Sequence, residues 1–390
     1  MALFETTFPP YVAFGSRTLS QGNTGSDVAV IQSVYNLMLK TMNPPEGPMG
    51  SPITLTGTYD AATVQAVRNI QSFFGLSTDG IAGPATYFVF GQGVGANTTY
   101  GGPVYGSREV QQGNAGGDVT VLQNRLNCFR YASLIGKPAT GTFDAATSTA
   151  VLAFKQDAAA NGDTGFPDNA VAGSGFYAAT WIYTFAGGRG IFTGRNGFDV
   201  VFVQVLLGRL GFYSGRVHGY YDAATQAAVT AYQRARGIGA DGIVGQETFY
   251  HFGLNNAVPA PQPLQLAWPV TPIPTACSVA LEPTTSAPTA FGSASLLGVS
   301  TGAVNIVGNN LPDPSTFYAG GSYSYHVVTG TGTVLAQGLM TSIGGSVWAG
   351  SASINVTSAR SATVTVRANP AGAVVSTGPI VLTANFSTCH

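Results

Sequence analysis

The sequence predicts a multidomain fold: three small all-α three-helix-bundle modules, followed by a C-terminal all-β sandwich of immunoglobulin-like type. Two observations carry this. Three ordered blocks of residues return three times within the first 256 residues. After a Pro-rich stretch the texture changes to short alternating runs separated by Gly, Pro, Ser and Asn.

The first block is Gly22-x-x-Gly25-x-Asp27-Val28-x-x-Ile31-Gln32. It returns around Asp118 as Gly113-x-x-Gly116-Gly-Asp118-Val119-x-x-Leu122-Gln123, and around Asp199 as Gly194-x-x-Gly197-x-Asp199-Val200-x-x-Val203-Gln204. The second block runs Gly57-Thr-Tyr59-Asp60-Ala-Ala-Thr63, then Gly141-Thr-Phe143-Asp144-Ala-Ala-Thr147, then Gly219-Tyr-Tyr221-Asp222-Ala-Ala-Thr225. The third is Asp79-Gly80-Ile81-x-Gly83-Pro84-x-Thr86 in the first copy and Asp241-Gly242-Ile243-x-Gly245-Gln246-x-Thr248 in the third. The second copy holds a worn form, Asp168-Asn-Ala-Val171-Ala-Gly173.

Each block reads as helix punctuation. The glycines release the chain into a turn, and Asp27, Asp118 and Asp199 then sit in a first helical turn, where a negative charge suits the macrodipole. Asp60, Asp144 and Asp222 are natural N-caps, with carboxylates placed to accept the orphan amides of the following turn. In the third block Asp-Gly forms a turn and Gly83-Pro84 opens a short helix with Pro at its first position. The predicted boundaries are an extended arm at 1–16, modules at 17–92, 106–187 and 188–256, a Pro-rich linker at 257–275 and a sandwich at 276–390.

Together the blocks resemble the peptidoglycan-binding domain of the type appended to bacterial cell-wall hydrolases. The resemblance implies bundles that dock hydrolytic or structural proteins to bacterial cell wall. Lys155 stands where Gln71 and Gln233 sit in the other copies, so the second module departs furthest from the pattern.

The aromatic before each cap, Tyr59, Phe143 or Tyr221, is the candidate platform for a sugar or stem peptide. The competing reading packs it onto its own helix as a hydrophobic staple. Only the first module offers an apolar partner, Val64, since Ser148 and Gln226 fill that position elsewhere.

Only 8% of residues are charged and the net charge is −1. This argues against a nucleic-acid partner, which calls for clustered Lys and Arg. Polar surface made from Gly, Ser, Thr and Asn accounts for the low charge; so does packing against copies of the same chain. Of the twelve Asp residues, nine fall in the repeated slots, Asp168 among them, and are explained as caps and turns. The five Glu residues are scattered, and the four His residues form no His-Glu-x-x-His helix or clustered ligand set. Cys389-His390 is a poor nucleophile pair for a transpeptidase. No catalytic residue, metal or cofactor is therefore expected, and the chain is read as a non-enzyme.

In the last third, Tyr323–Thr329 and Thr333–Ala336 read as a hairpin, and Ser351–Thr357, Ala362–Arg367 and Pro379–Thr383 as strands. Cys277 and Cys389 bracket this region, and a disulfide between them would close a loop of about 110 residues, worth roughly 4–5 kcal/mol. Cys128 is expected to be a half-buried helix residue. No secretory signal and no apolar run long enough to span a bilayer is read in the sequence. The arm is expected to add as a strand to a sheet of its own or a neighbouring subunit.

The functional expectation is a non-catalytic structural protein of the bacterial cell envelope or spore surface, outside the cell, that self-assembles into a fibre or coat with copies of itself as partners. A monomeric adaptor that binds cell-wall peptidoglycan is the alternative, and a wall hydrolase with an unrecognised site the second.

Overall fold

The computed structural model describes residues 11–41, 50–91, 100–160, 169–173, 176, 177, 180, 186–255, 277–298, 301–344 and 346–386. Two compact units divide the chain, one holding the bulk of the helical modules and one holding the β-sheet. The Pro-rich linker at 257–275 lies outside the described residues.

Module 1 carries α1 (Ser26–Thr41), α2 (Ala61–Phe73) and the short α3 (Pro84–Val89). Module 2 carries α4 (Gly117–Asn127), a turn of helix α5 (Ala132–Ile135) and α6 (Ala145–Ala160). Module 3 carries α7 (Phe198–Arg209), α8 (Ala223–Arg236) and α9 (Gln246–Asn255). Two isolated antiparallel bridges tie the blocks together in every copy. One joins the residue two after a repeated Arg to the third block, as Leu19–Ala82, Val110–Ala172 and Ile191–Val244. The other joins the first block to the second, as Thr24–Thr58, Ala115–Thr142 and Asn196–Tyr220.

The first helix of each module is buried almost all round. Residues 26–35 of α1, all of α4 and 198–207 of α7 are buried. An amphipathic helix buries one stripe, so the other faces of these helices are covered as well. Within the helical unit, neighbouring modules supply part of that cover. Helix α9 of module 3 packs on α4 and α5 of module 2, and Phe129 meets Phe202 edge-on at 6.4 Å. Phe90 of module 1 lies 5.5 Å from Phe198 of module 3, and the Arg189 guanidinium sits 5.7 Å from the Phe88 ring centre. At Gly253 an added Cβ would fall 2.1 Å from the Asn127 carbonyl oxygen and 2.3 Å from that of Phe129. Glycine is thus what lets α9 approach the end of α4.

In the described part of the arm, Tyr11–Ser16, no strand forms. Phe14 packs edge-on against Tyr87 and Phe90, at 5.1 and 5.2 Å. Ser26 Oγ bonds both the amide and the carbonyl of Val12, and Tyr11 donates to the Gly106 carbonyl of module 2 at 2.8 Å. Side-chain docking on the helical unit replaces the expected strand pairing over these residues; residues 1–10 lie outside those described.

The second unit is an antiparallel sheet in the order β5-β4-β8-β9-β1-β2-β3-β7-β6. Its strands are β1 (Cys277–Pro283), β2 (Phe291–Gly298), β3 (Thr301–Asn309), β4 (Ser322–Val328), β5 (Val334–Leu339), β6 (Thr341–Gly344), β7 (Val347–Asn355), β8 (Thr363–Asn369) and β9 (Ile380–Asn385). Strand β1 passes between the two halves: Cys277–Leu281 pair with β2, and Glu282 and Pro283 pair with β9. Side chains from both halves share one core, including Leu281, Leu296, Ile306, Tyr325, Val366 and Leu382. Tyr325 of β4 reaches across to donate to the Ser351 carbonyl of β7 at 2.9 Å. The sandwich expected from sequence is present, closed part-way towards a barrel. The strand expected at Ser351–Thr357 stops at Asn355, whose side chain caps Ser358 N at 3.0 Å and opens a helical turn, α10 (Val356–Ala359). Cys389 and the Cys277 side chain, and with them the expected disulfide, lie outside the described residues.

Among the described residues no helix is long and apolar enough to cross a membrane.

Candidate functional site

The repeated polar residues converge on one frame in each module, and the frame begins with a pair the block pattern did not contain. Arg17, Arg108 and Arg189 stand ten residues before Asp27, Asp118 and Asp199. Each guanidinium grips both carboxylate oxygens, at 2.8 and 3.0 Å, 2.7 and 3.1 Å, and 2.7 and 3.0 Å respectively. Each also donates to a loop carbonyl, that of Thr24, Ala115 or Asn196. The Asp thus anchors a fork-to-fork ion pair as well as sitting at a helix start. At Gly25, Gly116 and Gly197 the backbone takes φ of 145°, 150° and 145°, and a Cβ would press within 2.8, 2.6 and 2.9 Å of the same carboxylate. Glycine is needed there both for the turn and for room. The three pairs differ in exposure: the Arg side chains are 36%, 39% and 2% exposed, so only the module 3 pair is fully shielded.

The second block supplies the caps. Asp60 Oδ1 accepts from Thr63 N and Oγ1 at 2.8 and 2.9 Å. Asp144 does the same with Thr147 at 2.9 and 2.8 Å, and Asp222 with Thr225 at 2.8 and 2.7 Å. Against the cost of partial burial, Lys137 and the Thr147 donors hold the Asp144 carboxyl down at about 2. His218, 3.3 Å from Asp222, works with Thr225 in the same direction on Asp222, again against partial burial.

A buried glutamine ties the two blocks together. Gln32, Gln123 and Gln204 are each 0% exposed. Their amides donate to Thr63, Thr147 and Thr225 Oγ1 at 2.8, 2.9 and 2.9 Å, and their carbonyl oxygens accept from Gly57, Gly141 and Gly219 N. A second polar residue reaches the third block. Gln233 Nε2 donates to Asp241 Oδ1 and to the Ile243 carbonyl, both at 2.9 Å, and Gln71 donates to Asp79 at 2.7 Å. In module 2 Lys155 does this with its ammonium, held by Asn169 O, Asn169 Oδ1 and Val171 O at 3.0, 3.0 and 2.6 Å. Val171 N is accepted by Asn169 Oδ1, as Ile243 N is by Asp241 Oδ1. The worn block is therefore offset by one residue from its expected alignment: Asn169 takes the Asp slot. Asp168 lies outside the described residues.

Tyr59, Phe143 and Tyr221, the candidate ligand platforms, are 0%, 0% and 1% exposed. The hydroxyls of Tyr59 and Tyr221 donate to Gly80 and Gly242 carbonyls at 2.9 and 2.8 Å, pinning the third-block turn. Burial pushes the Tyr221 hydroxyl well above its ordinary pKa. These rings are core, and none turns a face to solvent. Cys128 is fully rather than half buried, and burial pushes its thiol up. No group of three or more His, Cys, Asp or Glu side chains is placed to hold a metal ion among the described residues.

The frame therefore positions the loops of each module. A family model described as a peptidoglycan binding domain matches residues 46–88, 115–173 and 196–251, one stretch in each module. The three modules belong to this family. An N-acetylmuramoyl-L-alanine amidase, CwlM, of Mycobacterium tuberculosis (strain ATCC 25618 / H37Rv) is 48% identical over 52 residues, 13% of this chain and 13% of the amidase. A zinc D-Ala-D-Ala carboxypeptidase of Streptomyces albus G is 38% identical over 72 residues, 18% of this chain and 25% of the carboxypeptidase. The likeness thus covers a quarter or less of either relative's length. No solved structure matches the chain. The peptidoglycan-binding modules retain in each copy the Arg–Asp pair, the cap and the buried glutamine. Residue by residue, the repeated polar groups are engaged inside the module.

Proposed function

We propose that this chain is a non-catalytic protein of the bacterial cell envelope or spore surface that acts by binding wall peptidoglycan through its helical unit. The observation that carries the reading is the threefold preservation of the module frame in a family of binding domains. The repeated acidic residues serve as caps and ion-pair partners, which leaves a hydrolytic mechanism no repeated acid to use. The test is sedimentation of the purified chain with cell-wall sacculi. Retention by sacculi is expected; a chain that stays in the supernatant at low salt overturns the reading.

A second reading, self-assembly into a fibre or coat, draws on charge. Between Asp313 and Arg360 the chain holds no Asp, Glu, Lys or Arg, and this stretch contains both edge strands of the sheet, β5 and β6. Edge strands without charge or Pro are poorly protected against pairing with another copy. Electron microscopy of the purified protein tests this, and monodisperse particles at high concentration count against it. The hydrolase reading is tested by zymography on wall-embedded gels, where no clearing is expected.

A further inference from the structure

Modules 1 and 2 share an exposed polar edge whose counterpart in module 3 has a different composition. It forms along the bridges Thr24–Thr58 and Ala115–Thr142, where the first block runs beside the second. In module 1 its side chains are Ser20, Gln21, Thr24, Thr56 and Thr58; in module 2 they are Gln111, Gln112, Ala115, Thr140 and Thr142. All ten are exposed, and all but Ala115 are hydroxyls or amides. Behind each edge, buried Gln32 or Gln123 bonds the backbone of the second block, so the edge is held before any ligand arrives. The bordering Arg17 and Arg108 are committed to Asp27 and Asp118, and Lys137 to Asp144.

At the equivalent positions module 3 carries Phe192, Thr193, Asn196, His218 and Tyr220. Three of the five positions become aromatic rings there, and the row of hydroxyls and amides is broken.

We propose that modules 1 and 2, and not module 3, grip the wall, and that their edges take its neutral N-acetylated glycan strand rather than the charged stem peptide. This rests on the wall-binding reading above. Neutral hydroxyls and amides exchange hydrogen bonds with sugar hydroxyls and acetamido groups without stripping water from an ion. A peptide carboxylate calls for a cationic donor, and the cations bordering these edges are already paired.

The test uses the full chain, sacculi and a soluble β-1,4-linked N-acetylglucosamine oligomer. Gln21→Ala with Thr58→Ala removes the first edge, and Gln112→Ala with Thr142→Ala the second. Gln65→Ala with Ser72→Ala, on the exposed side of α2, is the control. Calorimetry is expected to find two oligomer sites per chain, each edge pair removing one. The fourfold variant should bind sacculi about tenfold more weakly, the worth of one or two hydrogen bonds, with an unchanged melting curve. If the wild-type chain is retained and the fourfold variant is retained equally, the edge assignment is overturned while wall binding stands. If the wild-type chain is not retained, both fall. A muropeptide that competes where the oligomer does not would overturn the choice of ligand.

Discussion

Arg189 holds Asp199 through two hydrogen bonds of 2.7 and 3.0 Å, with both side chains all but sealed from water, at 2% and 1% exposure. Removing the guanidinium alone strands a buried carboxylate. Arg189→Ala is expected to cost about 3–5 kcal/mol, while Arg17→Ala, at a pair open to solvent on one side, costs about 1 kcal/mol. Urea unfolding of the two variants checks the order, and equal losses would count against burial as the cause. Arg189→Met with Asp199→Leu should recover much of the loss, because no charge is then left unpaired.

Lys155 offers a test of role rather than of residue type. Its ammonium serves three acceptors, and Lys155→Met leaves the Asn169 and Val171 carbonyls without it, at about 2–3 kcal/mol. Lys155→Gln, the residue of the other two modules, should stay within about 1 kcal/mol of wild type. Thermal denaturation separates the two outcomes, and similar losses in both variants would show that the charge itself is required.

Gly253 reports on the seam between modules 2 and 3. Because a Cβ would meet two carbonyl oxygens at 2.1 and 2.3 Å, Gly253→Ala should destabilise by about 1–3 kcal/mol. Hydrogen exchange should rise in α9 and at the end of α4, and not in α2. Loss of protection across the whole helical unit would mean that the modules unfold only together.

His326 gives the sheet a pH dependence. Burial lowers its pKa below 6.5, the positive charge of Arg367 adds to this, and the hydrogen bond with Gln337 opposes both. The folded state therefore binds the proton less readily than the unfolded state. Its stabilisation is complete above 6.5 and is lost as pH falls through the unfolded value towards the folded one. The melting temperature of the sheet unit should drop between about pH 7 and pH 5, and His326→Gln should flatten that slope. An unchanged slope in the variant would assign the effect elsewhere, Asp222 and Asp144 being excluded because they titrate at lower pH.

The module frame was legible where short sequence spacings carry structure. Asp-x-x-Thr is a cap because a helix turn brings those two residues together, and the Asp60, Asp144 and Asp222 bonds follow directly. Arg17, Arg108 and Arg189 also recur at one spacing, ten residues before an Asp, but that spacing spans a loop and matches no helix or strand period. The alignment of Asn169 was hidden for a related reason: its partner Lys155 lies fourteen residues away, against eight for Gln71–Asp79 and Gln233–Asp241. In the sheet, Tyr323–Thr329 alternates in residue type, whereas β2 and β3, with small residues scattered through them, do not. Both faces are covered in all three strands: Ser295 and Asn305 are buried beside Leu296 and Ile306, and Ser324 and His326 beside Tyr323 and Tyr325. Tyr59, Phe143 and Tyr221 stand out in the sequence as aromatics before a cap, whereas the exposed edges are built mostly from Ser, Thr and Gln, which do not.

The edge residues give each repeat its own character. Module 1 carries Ser20, Thr56 and Thr58 where module 3 carries Phe192, His218 and Tyr220. The three modules share a blueprint but are no longer spare parts for one another, and the run of helical modules is better regarded as a trimer of unlike subunits whose order is guaranteed by being written on one polypeptide.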